Sequence, residues 1–137
     1  MAPLNTNVFF YGLFMDAAVL QAKGVHAPDG EVGVVRDWEL RIGRRATLVP
    51  ARGGSVHGVL MSLPLPDLDR LYAETSVQAY RPVAVIVESA HRPAVPAVTY
   101  VLPTAPAPDE RNPEYAAKLR SLAERLSLPA SYTQSIV

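Results

Sequence analysis

The chain has 137 residues, 49% of them hydrophobic and 19% charged, and this predicts one soluble globular domain spanning residues 1–137. Thirteen basic residues balance thirteen acidic ones, so no net charge attracts the protein to nucleic acid or to an anionic membrane. The chain has no cysteine, which excludes disulfides, thiolate metal sites and cysteine nucleophiles. Neither a signal-peptide pattern nor a membrane-spanning apolar run occurs, so we expect a cytoplasmic protein.

The first predicted element is a buried strand that runs into a glycine. Residues 8–11 are apolar and aromatic, and Gly12 ends the run, which is typical of a strand that enters a turn. Asp16 is then placed to cap a helix over residues 17–23. Gly24 follows where a helix C-terminus favours a residue that tolerates positive φ.

Residues 33–42 alternate between apolar and charged side chains, as a strand with one solvated face does. Two further strands are predicted over residues 46–49 and 56–61, joined by a loop at Arg52, Gly53 and Gly54. We therefore expect an antiparallel sheet in this half of the chain.

The second half alternates helices and strands. Residues 66–74 have helical spacing, residues 82–87 and 97–102 are apolar on both faces like interior strands, and residues 103–108 form a proline-alanine connector. Asn112 as the cap and Pro113 at the first position open a further helix. A last short helix is predicted over residues 131–134.

Arginine is concentrated in the first half of the chain. The interpretations that remain open are a solvated hairpin, a rim that attracts an anionic substrate, and a surface that binds a protein partner. The arginines concerned are Arg36, Arg41, Arg44, Arg45 and Arg52.

Several familiar catalytic arrangements are missing from the sequence. The three histidines, His26, His57 and His91, are not spaced as metal ligands, so we expect no metal. No serine lies in a nucleophile elbow. The glycines near His57 do not form a phosphate-binding loop, because neither its lysine ending nor its strand-to-helix context is present.

Two features suggest a site. The turn at Gly12 exposes backbone N–H groups next to a helix start, an arrangement that can hold a carboxylate or an oxyanion. Glu74 is predicted to end a short amphipathic helix among apolar neighbours, where its carboxyl group would be desolvated and suited to proton transfer. Taken singly, both features also have ordinary structural explanations.

The order of these features resembles the gamma-glutamylcyclotransferase-like (AIG2-like) family over nearly the whole chain. The family's first strand ends in Tyr-Gly, which matches Tyr11-Gly12. Its helix ends in a catalytic glutamate, matching Glu74, and a tyrosine followed by a basic residue precedes an apolar strand, matching Tyr80-Arg81. The segments at residues 56–63 and 112–115 are also similar.

The resemblance implies an α+β fold, a small mixed and mostly antiparallel β-barrel flanked by helices. It also implies a cofactor-independent lyase in which Glu74, as general base and then acid, lets a γ-glutamyl amide cyclise to 5-oxoproline and release an amine. The implied partner is therefore a small-molecule γ-glutamyl compound, and the protein would be a monomer or a homodimer. The implied substrate-binding residues are Tyr11, Gly12, Leu13, Phe14, Tyr80 and Tyr100.

The sequence departs from the family pattern at the turn. Leu13 and Phe14 stand where related proteins carry polar residues, so only backbone donors remain there, and Thr75 replaces the glycine that often follows the glutamate. These departures leave a second possibility open, that of a member of the same fold that binds a small ligand without turning it over.

Overall fold

A computed structural model of the protein describes residues 5–26 and 30–137. The strands are β1 (Asn5–Phe10), β2 (Glu31–Ile42), β3 (Ala46–Pro64), β4 (Arg81–Ser89) and β5 (Val95–Val101). The helices are α1 (Ala17–Ala22), α2 (Leu65–Leu71), α3 (Pro113–Arg125) and α4 (Ala130–Thr133), and a 3-10 turn covers Leu13–Met15. None of the helices in these two stretches is long and apolar enough to cross a membrane.

The five strands close into a barrel in the order β1-β3-β2-β4-β5. Four of the five pairings are antiparallel, and β1 closes the ring through a parallel pairing of Val8 with Val98. The helices lie outside this sheet, so the α+β fold predicted from the sequence is confirmed. The apolar run of β1 explains its central place, because Val8, Phe9 and Phe10 are all buried.

The prediction of a glycine loop at residues 52–54 is wrong. Residues 46–64 form one continuous strand, β3, and its register against β2 shifts between Arg36 and Trp38. Asp37 fills the irregularity with φ of 69°, and its carboxylate accepts a hydrogen bond from the Gly53 N–H at 3.0 Å. The glycines that suggested a loop therefore lie at a β-bulge within the β2–β3 pairing. The turn of the β2–β3 hairpin lies at residues 43–45 instead.

Two further predictions need correction. Helix α2 ends at Leu71, three residues before Glu74, and the chain then continues through turns to Tyr80. Strand β4 was predicted to be an interior strand, but only one of its faces is buried. Val85 and Val87 face the core, while Ile86 is 54% exposed. Residues 82–87 of β4 are apolar throughout, so this segment could not reveal which face meets solvent.

The predicted caps of α1 and α3 are confirmed. The Asp16 carboxylate accepts from the Ala18 N–H at 2.9 Å, and the Asn112 side-chain oxygen accepts from the Tyr115 N–H at 3.2 Å. Pro113 occupies the first position of α3, where its missing N–H is not needed. Leu119 and Leu122 of α3 are buried against the barrel core, and this packing holds the first turn of the helix near the 3-10 turn.

Candidate functional site

A cavity of about 280 Å³ opens beside the C-terminal end of β1. Its walls come from five separate parts of the chain. They are residues 9–14, Lys23 at the end of α1, residues 44–46 of the β2–β3 turn, four residues of the segment after α2 (Tyr72, Ser76, Val77 and Tyr80), and Tyr115 of α3. This volume is just below the usual range for small-molecule sites, roughly 300 to 1,000 Å³.

The turn after β1 contributes both an anchor and backbone donors. The Tyr11 hydroxyl donates to the Tyr100 carbonyl at 2.6 Å, which ties the end of β1 to β5. Burial, followed by the neighbouring hydroxyls of Tyr80 and Tyr72, raises the pKa of Tyr11 well above its usual value, so it remains a neutral donor. The N–H groups of Leu13 and Phe14 have no partner inside the 3-10 turn that they open. That of Leu13 faces the Tyr115 hydroxyl.

Tyr115 is packed against this turn from α3. A methyl group built on Gly12 would lie 3.1 Å from the Tyr115 hydroxyl oxygen, so the glycine makes room for a protein side chain. Burial raises the pKa of Tyr115, an effect that the backbone of Leu13 opposes. The backbone of Gly12 is extended, with φ of −113°. Glycine is therefore needed at this position for the close approach of Tyr115, and not for an unusual backbone conformation.

Aromatic rings form the apolar side of the cavity. Phe14 meets Phe10 and Tyr72 edge to face, with ring centroids 5.8 Å and 5.6 Å apart. The Tyr72 ring stacks on Tyr100 at 3.8 Å, with Tyr100 behind it and outside the lining. Tyr80 donates its hydroxyl hydrogen to the Ala46 carbonyl, and burial raises its pKa. These contacts hold the rings in place before any ligand binds.

The charged lining of the cavity is basic. Lys23, Arg44 and Arg45 all contribute to it, and within the described parts of the chain no carboxylate does. The Lys23 ammonium bonds the Glu74 carboxylate at 2.5 Å, and the two side chains are 29% and 40% exposed. An anionic group entering the cavity would meet this positive field directly.

Glu74 lies next to the cavity rather than in its wall. Its carboxylate reaches the cavity through Lys23, and its neighbours Ser76 and Val77 do line it. The desolvated surroundings expected from Leu71, Tyr72, Ala73 and Val77 are not found, because the side chain is 40% exposed and paired with a cation. Glu74 lies in a turn after the end of α2. Its neighbours in space are therefore not the residues that helical spacing predicted.

Of the residues predicted to bind substrate, the structure brings Tyr11, Gly12, Leu13, Phe14 and Tyr80 to the cavity, while Tyr100 stands behind Tyr72 and Glu74 stands beside Lys23. Sequence reasoning did not select Lys23, Tyr72 or Tyr115 as lining residues. Tyr72 and Tyr115 fall within predicted helices, and Lys23 ends the predicted helix over residues 17–23. No local signal identifies them, since their partners lie far away in the sequence.

A model of the family described as "Gamma-glutamyl cyclotransferase, AIG2-like" matches residues 8–119. No curated protein sequence matches the chain. The match to the family model includes both Gly12 and Glu74, together with every segment that lines the cavity.

Solved structures share the fold. An uncharacterized human protein, loc79017, superposes with a TM-score of 0.82 at 18% identity, covering 96% of this chain and 86% of that one. A structure described as gamma-glutamyl cyclotransferase gives 0.79 at 18% identity, with coverage of 96% and 86%. YkqA from Bacillus subtilis gives 0.79 at 28% identity, covering 95% of this chain and 52% of that one, so the chain spans about half the length of YkqA.

Proposed function

Because the chain belongs to the gamma-glutamyl cyclotransferase, AIG2-like family, we propose that it is a cofactor-independent cyclotransferase. It converts a small γ-glutamyl amide into 5-oxoproline and a free amine. The observation that carries this proposal is the Lys23–Glu74 ion pair at an aromatic cavity next to the backbone N–H group of Phe14.

The γ-glutamyl group is complementary to these charges. Its α-ammonium group can replace Lys23 as the partner of Glu74, and its α-carboxylate can then bind Lys23, so that two new pairs replace the existing one. Each new pair is a charge-assisted hydrogen bond, stronger than a neutral one. The amide linkage would lie along the rings of Phe14 and Tyr72. The backbone N–H group of Phe14 would face the γ-carbonyl oxygen.

The reaction is a transfer of the γ-acyl group to the substrate's own nitrogen. Glu74 accepts a proton from the α-ammonium group, and the freed amine attacks the γ-carbonyl carbon. The carbonyl oxygen becomes an oxyanion that the Phe14 N–H group stabilises, and the bond to the leaving nitrogen then breaks. One of the three ammonium protons stays on the ring nitrogen, and two pass, through Glu74, to the departing amine.

Replacing Glu74 with glutamine tests the proton transfer. Glutamine keeps the shape of the side chain but cannot carry the proton, so we expect 5-oxoproline release from a panel of γ-glutamyl compounds to fall by roughly 10²- to 10⁴-fold. Glu124→Gln on the exposed face of α3 is the matched control. Release at wild-type rates by Glu74→Gln would remove Glu74 from the mechanism.

A second candidate function is binding without turnover. It is favoured by the position of Glu74, which pairs with Lys23 but lies outside the cavity wall, and by the apolar side chains of Leu13 and Phe14 at the turn. A γ-glutamyl compound would then raise the melting temperature of the wild-type protein while no 5-oxoproline appeared. Product formation from any member of the panel would reject this candidate.

A further inference from the structure

Tyr100 connects two parts of the site without entering the cavity. It is a buried residue of β5, and its ring stands behind Tyr72, outside the lining. The proposed reaction brings together the turn at residues 12–14 and the segment after α2 that carries Glu74. These two parts are far apart in the sequence, and each of them is joined to Tyr100 through a different portion of that residue.

The main chain of Tyr100 holds the turn. Its carbonyl oxygen accepts a buried hydrogen bond from the Tyr11 hydroxyl at 2.6 Å, and Tyr11 directly precedes the turn. The neighbouring Thr99 donates its hydroxyl hydrogen to the Phe9 carbonyl at 2.8 Å. Two buried side-chain hydrogen bonds therefore join β5 to the end of β1, two strands of which a single pair of described residues is in register.

The ring of Tyr100 holds the segment after α2. The Tyr72 ring stacks on it, with centroids 3.8 Å apart and an angle of 14° between the ring planes. Helix α2 ends one residue before Tyr72, at the buried Leu71. Ala73 is exposed, so the stack is the last packed contact before Glu74. The position of Glu74 therefore depends on where the Tyr100 ring lies.

We infer that Tyr100 is a positioning residue, whose carbonyl places the turn and whose ring places the segment with Glu74, so that it sets the distance between the two. This inference rests on the proposed cyclotransferase function. Proton transfer and attack on the γ-carbonyl require the carboxylate and the Phe14 N–H group to be correctly placed at the same moment. A small displacement of one relative to the other lowers the rate.

Substitutions at position 100 separate positioning from binding, because this side chain lies outside the cavity lining. Tyr100→Phe keeps the flat ring, whereas Tyr100→Leu and Tyr100→Met fill the space without a ring that can stack. Val87→Ala shortens a buried side chain of β4 outside the lining and is the control for lost core packing. We measure kcat and KM for 5-oxoproline release from the γ-glutamyl compound that the wild type converts fastest, and urea denaturation shows which variants are folded.

We expect kcat to fall roughly 10- to 100-fold in Tyr100→Leu and Tyr100→Met, because the geometry at the reacting atoms is lost. KM should stay within about twofold of the wild-type value, because no contact with the substrate is removed. Tyr100→Phe should retain the wild-type kcat. Val87→Ala should retain it as well wherever it is folded, although its unfolding free energy is lower.

Tyr11→Phe tests the other connection, because it removes the hydroxyl that bonds the Tyr100 carbonyl. We expect a lower kcat, and we expect the double variant with Tyr100→Leu to lose less than the product of the two single losses, since both substitutions loosen one distance. An unchanged kcat in Tyr11→Phe would overturn the inference by itself, so the test does not depend on the folding of any variant at position 100.

Three further results would overturn the inference and leave the proposed function in place. They are a kcat in Tyr100→Leu equal to that in Val87→Ala, a loss confined to KM, and a Tyr100→Phe variant as slow as Tyr100→Leu. Losses in Tyr11→Phe and Tyr100→Leu that multiply would also overturn it, because the two parts would then be placed independently. If the wild type releases no 5-oxoproline from any γ-glutamyl compound, the proposed function fails and this inference fails with it.

Discussion

Gly12 and the Tyr115 side chain pack against each other at the cavity so closely that no side chain fits at position 12 without a shift. The Tyr115 hydroxyl oxygen would lie 3.1 Å from a methyl group at position 12, closer than two such groups normally pack. Tyr115 also lines the cavity, and the backbone of Leu13 lowers the pKa of its hydroxyl against the effect of burial. A glycine here lets α3 deliver a buried hydroxyl to the turn that is proposed to bind substrate.

The variant Gly12→Ala should therefore impair function more than folding. The new methyl group has to displace the Tyr115 hydroxyl by a few tenths of an ångström, and small misplacements in a site can lower rates strongly. We expect kcat/KM for 5-oxoproline release to fall roughly tenfold or more, with a decrease of about 1 kcal/mol in the free energy of unfolding.

The double variant, Gly12→Ala with Tyr115→Phe, tests whether contact with the Tyr115 hydroxyl causes the effect of Gly12→Ala. Because phenylalanine lacks the hydroxyl oxygen, the methyl group has space, and the stability lost in Gly12→Ala should be regained. Chemical denaturation of the wild type, both single variants and the double variant forms a cycle that measures this coupling. Additive effects of the two substitutions would contradict the contact described here.

At the scale of elements, α3 connects stability with the site. Its first turn carries Tyr115, and its buried face, including Leu119 and Leu122, packs on the core. The Asn112 side chain caps the same turn by accepting from the Tyr115 N–H at 3.2 Å. One side chain thus ends the exposed connector and orients the residue that contacts Gly12.

Asn112→Ala should lower the free energy of unfolding by about 1 kcal/mol, the usual effect of losing an N-cap. Because the capped N–H belongs to Tyr115, we also expect a lower kcat/KM at temperatures where the protein stays folded. Ser121→Ala, in the exposed middle of α3, is the control and should change neither quantity appreciably. An Asn112→Ala variant as stable as the control would mean that packing alone holds this helix start.

The end of α2 is also the point beyond which local sequence patterns do not predict the path of the chain. Helix α2 ends at Leu71, and the next residue, Tyr72, turns its ring onto Tyr100 with centroids 3.8 Å apart. Glu74 then meets Lys23, 51 positions earlier in the chain. Stacking and ion pairing with distant residues decided the path of this segment, while helical periodicity described only its first part.

At the scale of the whole molecule, His57 links the barrel to the C-terminal helix. It lies on β3, and its ring centroid is 4.9 Å from that of Tyr132 in α4. Burial, followed by the charge of Arg36, lowers the pKa of His57 below its usual value. The folded protein therefore binds a proton here less readily than the unfolded chain does.

This lowered pKa predicts a loss of stability in acid. Above the ordinary histidine pKa of about 6.5 the ring is neutral in both states, and the full stability is present. As the pH falls below that value the unfolded state takes up the proton first, so the free energy of unfolding decreases until the folded-state pKa is passed. Urea denaturation between pH 8 and pH 5 measures this decrease.

The histidine responsible can be identified by substitution. His57→Gln should show a smaller decrease in unfolding free energy over this pH range than the wild type. His26→Gln, at an exposed histidine, should keep the wild-type slope. If His57→Gln and the wild type lose stability in parallel, the acid sensitivity comes from other groups.

The sequence by itself determined the features that depend on near neighbours. Alternating side chains predicted β2, the caps at Asp16 and Asn112 predicted the starts of α1 and α3, and the order of Tyr11-Gly12 and Glu74 indicated the family. The strand and cap signals act over a few residues, because backbone conformation and capping are local.

Only the tertiary structure decided which residues share the cavity. Closing the barrel placed Lys23 beside Glu74, put Tyr115 over Gly12 and set Arg44 and Arg45 near Tyr80. The same closure made β3 continuous, because pairing with β2 offered the glycines a bulge in place of a loop. Contacts of this kind depend on how distant segments pack together, and no short stretch of sequence encodes them.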